Sequence, residues 1–470
     1  MESMGWPGRV DIAVIGGGFS GTMVAVQLAR LAGTASPRVA ILERGERFAR
    51  GVAYGTRSDH HLLNVPAGLM SALPDEPAHF LDWLRRRDAS AHEGSFAPRR
   101  VYGDYLDDLL RSACSGPSAR IDLVRAAAVS IRPAGDSGPF RIATECGSIL
   151  EADRVVLALG HQEPQQPAAW GADPGLDRYA PDPWGPGALR GLDPEDPIAL
   201  IGTGLTAVDL VVGARACGHR GKIFAISRHG LLPSRHPSSP APPRPHFSLA
   251  SSEAAPTARG LMRQLRAEAA ACRADGGDWR SVVDSVRPVA QSLWGSLADQ
   301  ERRRFLRHVA PRWDVHRHRL APAVDDAIRA ALQAGGLEVL AARVRGLGPA
   351  SGGVALLLQR RGRGEPETLR VRRVINCTGP GRDIRAGTSP PLRSILDGGI
   401  GRAGPLALGL EVANSGALIR GDGSAHADVF AIGPLLKERL WETTAVRELR
   451  SQALELARKL LIPACPDQRT

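Results

Sequence analysis

The fold of this chain is indicated by residues 10–44, which read VDIAVIGGGFSGTMVAVQLARLAGTASPRVAILER. An apolar run, a glycine-rich turn, an amphipathic segment and a second apolar run that ends at Glu43 predict a strand, a tight turn, a helix and a further strand. In the turn, Gly16, Gly18 and Gly21 have the spacing GxGxxG. The first glycine permits the turn, the second lets the backbone approach a diphosphate, and the third allows the helix to pack closely on the strand.

The start of the predicted helix has the properties of an anion site. Its first amides, at Phe19 and Ser20, lack partners within the helix, and the helix dipole favours negative charge there. Glu43 follows the glycines by about 20 residues and ends a strand, where it is placed to accept hydrogen bonds from a ribose. A glycine triad alone is a weak signal, but this context predicts a dinucleotide site.

A second unit of the same kind begins at Ile198, with the turn GTGLTA. Gly202 and Gly204 take the first two glycine positions, and an alanine takes the third, which still suits close packing of a helix. Leu205 and Thr206 lie where that helix begins. This partial repeat of the opening unit predicts a second dinucleotide site.

The residues after the second unit's second strand indicate which nicotinamide dinucleotide binds. Ser227 and Arg228 stand where a carboxylate would select an unphosphorylated ribose. A carboxylate would repel a 2′-phosphate, whereas serine and arginine would bind one, so NADPH is predicted over NADH. The alternative is that Arg228 is simply an exposed arginine in an arginine-rich chain.

Two dinucleotide units in one chain imply FAD in the first and an inserted nicotinamide domain. Later apolar runs end at Gly160, Gly379 and Gly433, where small residues allow the chain to cross between domains or to pass a flavin closely. A further helix start near Thr443 and Thr444 could direct amides at the pyrimidine end of the flavin.

The predicted fold class is therefore α/β, with two Rossmann-like dinucleotide-binding domains, for FAD and NADPH, and a helical insertion. The predicted boundaries are 1–165 and 370–465 for a discontinuous FAD-binding domain, 190–240 and 325–370 for the NAD(P)-binding domain, and 241–325 for a proline-rich connector and helical insert.

Composition excludes several classes of protein. The net charge of +11 comes from arginines spread along the chain, which indicates an arginine-rich surface rather than a nucleic-acid partner. The six cysteines contain no CxxC pair, and neither they nor the scattered histidines predict a metal site. With no signal segment and no long apolar run, we expect a cytoplasmic protein without a membrane span, whose oligomeric state the sequence leaves open.

Nearly the whole chain resembles a known family. It is similar to the FAD/NAD(P)-binding proteins of the two-dinucleotide-binding flavoprotein superfamily, a group related to flavin-dependent N-hydroxylating monooxygenases. The resemblance is carried by GVAYGT (51–56), HLLNVPAGLMSALPDEPAHFLDWL (61–84), RRVYGDYL (99–106), GTGLTAVD (202–209), WDVHRHRLAP (313–322) and FAIGPLLKERLWETTAVRELR (430–450).

The resemblance implies FAD contacts at the first glycine turn, at Glu43, at Gly433 and at the Thr443–Thr444 turn, and it implies that Asn64 and Met70 line the flavin side. The chain departs from its relatives at several points. Pro434 stands where disulfide reductases of the superfamily place an acid, and the dithiol is absent, which excludes disulfide reduction. The histidine and tryptophan fingerprint of Baeyer–Villiger enzymes is also absent, and Arg447 replaces an expected proline near the flavin.

The basic cluster before residue 320 has two interpretations, and its members are Arg312, His316, Arg317, His318 and Arg319. Arg317 and Arg319 could bind a carboxylate substrate or the NADPH phosphates, because guanidinium groups pair with such anions. They could equally belong to a solvated face or pair with acids such as Asp314 and Asp325.

The leading functional hypothesis is an NADPH-dependent FAD monooxygenase. It would use molecular oxygen to hydroxylate a small polar substrate, plausibly at an amine nitrogen, through a C4a-hydroperoxyflavin. No side chain is predicted to be catalytic, because the cofactors carry the hydride chemistry. The alternatives are an NAD(P)H oxidoreductase that passes electrons to a quinone or protein, and a flavin-bound regulatory protein without turnover.

Overall fold

The computed structural model describes residues 6–135, 138–166, 170, 178–185, 187–237, 244–248 and 255–462. Their strands are β1 (Arg9–Ile15), β2 (Arg38–Glu43), β3 (Arg120–Arg125), β4 (Ala128–Pro133), β5 (Phe140–Thr144), β6 (Ile149–Leu157), β7 (Tyr179–Ala180), β8 (Ile198–Ile201), β9 (Ile223–Ser227), β10 (Leu337–Ala350), β11 (Gly353–Arg360), β12 (Glu367–Val371), β13 (Arg373–Asn376), β14 (Ala417–Ile419) and β15 (Ala425–Ala431). Their helices are α1 (Phe19–Leu31), α2 (Gly51–Tyr54), α3 (His79–Arg85), α4 (Arg99–Ser115), α5 (Leu205–Ala216), α6 (Ala258–Ala274), α7 (Trp279–Val286), α8 (Ala290–Ser296), α9 (Asp299–Arg304), α10 (Ala310–Arg317), α11 (Pro322–Gln333), α12 (Pro390–Asp397) and α13 (Val446–Leu460).

The first sheet is built around β1, which pairs in parallel with β2 on one side and β6 on the other. Its order is β14-β15-β6-β1-β2-β3, and β4 and β5 extend it antiparallel from β6. Ile12 and Val14 enter the core beneath α1, α4 and α13, whereas Ala13 and Ile15 enter the core on the opposite face. Both faces of β1 are thus buried over residues 12–15, which explains why this part of the strand is an apolar run.

The second sheet repeats this arrangement around β8, with the order β12-β11-β10-β9-β8-β13-β7. Strands β7, β8, β9, β10 and β13 are parallel, and β11 and β12 form an antiparallel extension. Helix α5 follows β8 directly and packs in the same core as α11. The predicted α/β class with two Rossmann-like units is therefore confirmed.

Two strands of the second sheet lie outside the boundaries predicted for the second domain. β13 pairs with β8, with Val374 opposite Ala199, so residues 373–376 run in the second sheet although the boundary at 370 assigned them to the first domain. β7 also belongs to the second sheet and precedes the predicted start at 190. The apolar pattern marks each strand, but the sheet it joins is set by pairing partners far away in sequence.

Helices α6 to α10, with a π-helical turn at Phe305–Val309, form the predicted insert between β9 and α11. The insert packs against the first domain: the Trp294 indole stacks on Trp441 with ring centroids 4.9 Å apart and donates a hydrogen bond to the Glu438 carbonyl at 3.0 Å. Of the proline-rich connector, residues 238–243 and 249–254 lie outside the described residues. No helix in the described ranges has the length and apolar character that crossing a bilayer requires.

Candidate functional site: two dinucleotide cradles

The first glycine turn leaves no room for side chains at two of its three glycines. Gly16 has φ +108°, and a Cβ there would overlap the carbonyl oxygen of Ala158; a Cβ at Gly21 would overlap the carbonyl oxygen of Gly16. At Gly18, however, a Cβ would come no closer than 3.5 Å to any atom of the protein. The protein therefore requires glycine at the first and third positions, and the middle position is left free for a ligand to approach the backbone.

The helix after this turn presents unpaired backbone donors. The N-cap of α1 is Gly18, and no side chain caps the helix. Its first N–H groups thus remain available to a diphosphate. Glu43 lies beside the turn, where its carboxylate accepts hydrogen bonds from Gly17 N at 2.8 Å and Gly45 N at 2.7 Å. Two such bonds fix the carboxylate and leave lone pairs for ribose hydroxyls, so these residues fit an adenine dinucleotide.

The C-terminal part of the chain brings more predicted residues to the same turn. Gly433, with φ +78°, is packed so closely on α1 that a Cβ would lie 3.0 Å from Ser20 Oγ. The Thr443 hydroxyl donates to the Gly433 carbonyl at 3.1 Å, and Gln452 Nε2 donates to Thr443 Oγ1 at 2.9 Å. Gln452 links α13 to this contact, although the sequence analysis did not single it out. Gly433, Thr443 and Ser20 therefore meet, and the exposed Thr444 follows at the uncapped start of α13.

The two residues implied on the flavin side differ in exposure. Asn64 is half-buried and lines a cavity of about 60 Å³ between the two sheets, where its carbonyl accepts a hydrogen bond from His236 Nε2 at 2.9 Å. Met70 is packed in the first core, and its carbonyl accepts a hydrogen bond from the Tyr102 hydroxyl at 2.8 Å. A cofactor contact at Asn64 or Met70 remains a prediction, and for Met70 the side chain is directed into the core.

The second turn has the geometry of the first. Gly202 has φ +126°, and a Cβ there would overlap the carbonyl oxygen of Cys377, just as Gly16 meets Ala158. Gly204 is exposed with no atom within 4 Å of a Cβ, and it is the N-cap of α5, again without a side-chain cap. Leu205 and Thr206 form the first turn of α5. The predicted internal repeat is thus a repeat of backbone geometry as well as of sequence.

Gly160 and Gly379 lie on the two chain crossings between the domains. Each has positive φ, +68° and +84°, just after β6 and β13. The crossings are joined where Gly381 N donates to the Glu163 carbonyl at 3.1 Å. Both predicted glycines therefore lie at the carboxyl edges of the sheets, beside the two turns.

Four arginines surround the end of β9. Ser227 Oγ accepts from Thr203 Oγ1 and from Gly230 N, both at 3.0 Å, which fixes the turn before the exposed Arg228. Burial and the charges of neighbouring guanidinium groups lower the pKa of His229; these groups belong to Arg312, Arg228, Arg361 and Arg343. Within the described residues none of the four pairs with a carboxylate. Such a cluster has the charge and the free donors to bind a phosphate monoester.

The sequence predicts Arg228 at this site, and it marks Arg312 as a member of the basic cluster before residue 320. Arg312 lies in the insert, whereas Arg343 lies in β10 and Arg361 just after β11. In a chain with 60 basic residues, the single arginines Arg343 and Arg361 give no local signal. Only the folding of these elements around Ser227 brings them together.

The two arginines predicted to bind substrate both have acidic partners. Arg317 Nη2 donates to Glu442 Oε2 at 3.1 Å, and both side chains are more than nine-tenths buried. Arg319 forms a two-pronged ion pair with Asp284 at 2.9 and 3.0 Å and also donates to two backbone carbonyls. The acids differ from the candidates Asp314 and Asp325. Arg319 has little donor capacity left for a ligand, and a substrate role for either arginine remains a prediction.

A polar junction lies where the insert meets the segment that follows Gly433. Trp313 Nε1 and Arg317 both donate to Glu442, and the Lys437 ammonium lies 4.7 Å from the Trp441 ring centroid. Burial raises the pKa of Asp314 and lowers that of Lys437, and each is close enough to affect the other's charge. Lys437 and Asp314 have no ion-pair partner within 4 Å in the described part of the chain. The junction therefore offers charges of both signs to a small polar ligand.

Comparisons with known proteins agree with this geometry. Residues 13–162 match the sequence model of a family described as FAD-NAD(P)-binding. An uncharacterised protein of Mycobacterium tuberculosis is 26% identical over 98% of this chain and 97% of its own length. The L-aspartate N-monooxygenase (nitrosuccinate-forming) of Streptomyces cremeus is 33% identical over 156 residues, which cover 32% of this chain and 23% of that protein.

Among solved structures, the fold is similar to that of the ornithine N-hydroxylase of Kutzneria sp. 744. The TM-score is 0.67 at 16% sequence identity, over 96% of this chain and 99% of the other, and that structure contains reduced FAD, NADP+ and L-ornithine. The likeness covers both sheets and the insert together. The chain therefore contains an FAD-NAD(P)-binding region at residues 13–162, and over nearly its whole length it has the fold of the flavin N-hydroxylating monooxygenases.

Proposed function

We propose that this protein is an NADPH-dependent flavin monooxygenase that hydroxylates the amine nitrogen of a small polar substrate. The observation that carries the proposal is the repeated cradle, in which two glycine turns have the same geometry in two sheets between which the chain crosses twice. The sequence has no CxxC pair to receive electrons. The described cysteines are unpaired and far apart in sequence. Two nucleotide sites without a dithiol favour oxygen as the electron acceptor.

The roles of the residues follow from their positions. FAD, when bound, would supply the redox and oxygen chemistry. The open face of Gly18 and the first amides of α1 would bind its diphosphate, and Glu43 would hold its ribose. Gly433 and Thr443 would place the C-terminal segment against the rest of the cofactor. We propose the same backbone roles for Gly204 and α5 toward the nicotinamide dinucleotide.

The arginine cluster supports NADPH as the reductant. A 2′-phosphate carries close to two negative charges, and Arg228, Arg312, Arg343 and Arg361 offer guanidinium donors that no carboxylate among the described residues neutralises. An unphosphorylated ribose would leave these like charges uncompensated. Ser227, fixed by Thr203, would add a hydroxyl to the same site.

The polar junction supports a substrate that carries both a carboxylate and an amine. Lys437 would attract the carboxylate, and Asp314 would attract the amino group. The partial relative from Streptomyces cremeus is an L-aspartate N-monooxygenase. A small amino acid is therefore the substrate class we propose, with the cytoplasm as the proposed compartment because the described thiols are unpaired.

The test is an assay of the purified yellow protein with NADPH, oxygen and a panel of amino acids and amines. Formation of an N-hydroxylated product in proportion to NADPH consumed would support the proposal. Rapid quinone reduction with hydrogen peroxide as the only oxygen product would instead favour the electron-transfer alternative. Failure of NADPH to bleach the bound flavin would indicate a protein without turnover.

A further inference from the structure

Two side chains of the first domain reach into helix α5 of the second. Arg99 Nη2 donates to Asp209 Oδ2 at 2.7 Å, with the two side chains only 16% and 12% exposed. His61 Nε2 lies 3.0 Å from the Asp209 carbonyl oxygen, and His61 Nδ1 lies 2.7 Å from Thr56 Oγ1. We call this set, Thr56, His61, Arg99 and Asp209, the interdomain latch.

The protonation of the latch follows from its partners. A carbonyl oxygen only accepts, so His61 must carry its proton on Nε2. Burial and the charge of Arg99 lower the pKa of His61 to about 4, so the ring is neutral and Nδ1 accepts from the Thr56 hydroxyl. Both ring nitrogens of His61 are thereby hydrogen-bonded in one defined tautomer, so the contact requires one orientation of the ring.

The second domain is shaped to receive His61. Gly213 lies one turn after Asp209 on α5, and a Cβ there would be 2.9 Å from His61 Nε2. On another side, the Trp184 ring meets His61 edge-on at 5.8 Å and lies 5.2 Å from the Arg99 guanidinium. The second domain thus contacts the first-domain pair from two separate segments.

The latch lies close to both proposed cofactor sites. Asp209 follows the uncapped N-terminus of α5 at Gly204 by five residues, which is about 7.5 Å along a helix axis. Asn64 follows His61 by three residues on the implied flavin side. Asn64, Arg99, Leu205 and Asp209 all line the cavity between the sheets.

A contribution to the stability of the fold does not explain the Arg99–Asp209 ion pair. Burial raises the pKa of Asp209 to about 6 even though Arg99 lowers it, so desolvation of the carboxylate outweighs the attraction of the guanidinium. A buried pair of this kind is weak evidence for stabilisation, and its best attested use is to fix one arrangement among several.

We propose that Arg99, Asp209 and His61 are positioning residues that hold α5, and with it the nicotinamide dinucleotide, at a fixed distance from the flavin. This rests on the proposed function, because it takes the first turn as the FAD site and the second as the NADPH site. The side-chain hydrogen bonds of the latch involve neither glycine turn. Its loss should therefore affect electron transfer between the cofactors far more than the binding of either.

The test compares Asp209→Asn, Arg99→Gln and Arg99→Lys with the wild-type holoenzyme. Asp428→Asn is the matched control, since Asp428 and Arg154 are similarly buried, at 16% and 14%, but lie within the first sheet. Three quantities are measured: bound FAD per chain, the Kd for NADP+, and the anaerobic rate of flavin reduction at saturating NADPH. Hydrogen exchange of the amides in α5 and in residues 61–64 is followed without nicotinamide.

For Asp209→Asn and Arg99→Gln we expect FAD content and the Kd to stay within about twofold, the reduction rate to fall at least tenfold, and the exchange in both segments to rise. Arg99→Lys should recover most of the rate, because a single donor reaches Asp209 and a lysine can supply it. Asp428→Asn should leave rate and exchange unchanged. If Asp209→Asn does not fold, the two Arg99 variants give the answer.

The rate should also depend on pH through Asp209. The groups that face it are the Arg99 guanidinium, His61, whose pKa is lowered to about 4 by burial and by Arg99, and the Cys377 thiol, whose pKa is raised by burial. Wild-type reduction should slow as pH falls below about 6 and the carboxylate is protonated, whereas Asp209→Asn should lack this component.

The outcomes separate the two proposals. If NADPH fails to reduce the wild-type flavin, the proposed function falls, and the exchange data alone decide whether the latch holds α5. If the wild type is reduced, and Asp209→Asn and Arg99→Gln match it in rate and exchange, the latch proposal falls alone. If Asp209→Asn and Asp428→Asn lost the same fraction of the reduction rate, the latch proposal would also fall, because general destabilisation would explain both losses.

Discussion

At the scale of single residues, the middle glycine of each turn should separate ligand binding from folding. A Cβ at Gly204 meets open space and one at Gly18 makes an ordinary contact with Gly51 at 3.5 Å, so a valine at either position would collide chiefly with a diphosphate. We expect Gly18→Val to fold without FAD, and Gly204→Val to keep FAD but lose NADP+ binding. Flavin absorbance per chain and calorimetry with NADP+ measure these losses.

The control is Gly295→Val, at an open position in α8, which should keep both ligands. A Gly18→Val protein that is still yellow would contradict the assignment of the first turn as the FAD site.

Arg228 should determine the preference between the two nicotinamide dinucleotides. A hydrogen bond to a charged group contributes about 1.5 to 3 kcal/mol, and the exposure of Arg228 places it at the lower end. Arg228→Ala should raise the KM for NADPH about tenfold and leave that for NADH nearly unchanged. Steady-state kinetics with both reductants check this. Arg111→Ala, exposed on α4, serves as control, and equal effects of Arg228→Ala on both reductants would exclude a phosphate contact.

Residue positions could be predicted where neighbouring residues dictate them. The places of Gly21 and Glu43 could be predicted because Gly21 packs on the Gly16 carbonyl and Glu43 binds Gly17 within one short unit, whereas the contact of Gly16 with Ala158 joins distant segments. The partners of Arg317 and Arg319 could not, because Glu442 and Asp284 lie on other elements, 125 and 35 residues away. The Arg99–Asp209 pair was missed for the same reason, with 110 residues between its members.

At the scale of elements, Glu442 joins α10 of the insert to the segment that precedes α13. Glu442→Gln would leave the buried Arg317 without a counter-charge, and breaking a buried pair in this way costs about 3 kcal/mol or somewhat more. Denaturant unfolding at pH 7 measures the loss of free energy of unfolding. Glu411→Gln, in the half-exposed pair with Arg402, should cost less than about 1 kcal/mol.

The same pair predicts a pH dependence of stability. Burial opposes ionisation of Glu442, but the charges of Arg317 and His318 and a hydrogen bond from Trp313 outweigh it, so its pKa is lowered. When folding lowers the pKa of a carboxyl group, the folded state is stabilised at pH values above the ordinary pKa of that group. This stabilisation is lost as the pH falls through the lowered pKa. The difference in stability between wild type and Glu442→Gln should narrow as pH falls below about 4. A constant difference from pH 7 to 3 would contradict the ion-pair explanation.

Most elements could be predicted because each has a local periodicity. The two strand, turn and helix units and the helical insert were found, and the last helix begins at Val446 beside the predicted turn. The membership of β13 could not be predicted, since Val374 and Ile375 are as apolar as the strands of either sheet. The place of β13 in the second sheet is set by its pairing with β8, which lies far away in sequence.

At the scale of the whole molecule, the chain leaves the first sheet after β6, builds the second sheet, and returns through β14 and β15. The latch and the insert add contacts between the domains, so we expect them to unfold together. NADP+ at 100 times its Kd should then stabilise the whole protein by about 2.7 kcal/mol and raise the temperature at which flavin fluorescence appears. NAD+ at the same concentration should do much less. If FAD were released at the same temperature with and without NADP+, the two domains would unfold independently.

The return of the chain also sets when the protein can acquire its flavin. Gly433 and Thr443 complete the proposed FAD site, yet about 400 residues separate them from the first turn, and a ribosome adding 5–20 residues per second needs roughly 20 to 80 s for that stretch. Until then β6 has an open edge where β15 will pair, and the nascent chain has only half of its cofactor site. The second domain, whose strands are all made by Asn376, is complete first. We therefore expect FAD to bind only near the end of translation, after the second domain has formed.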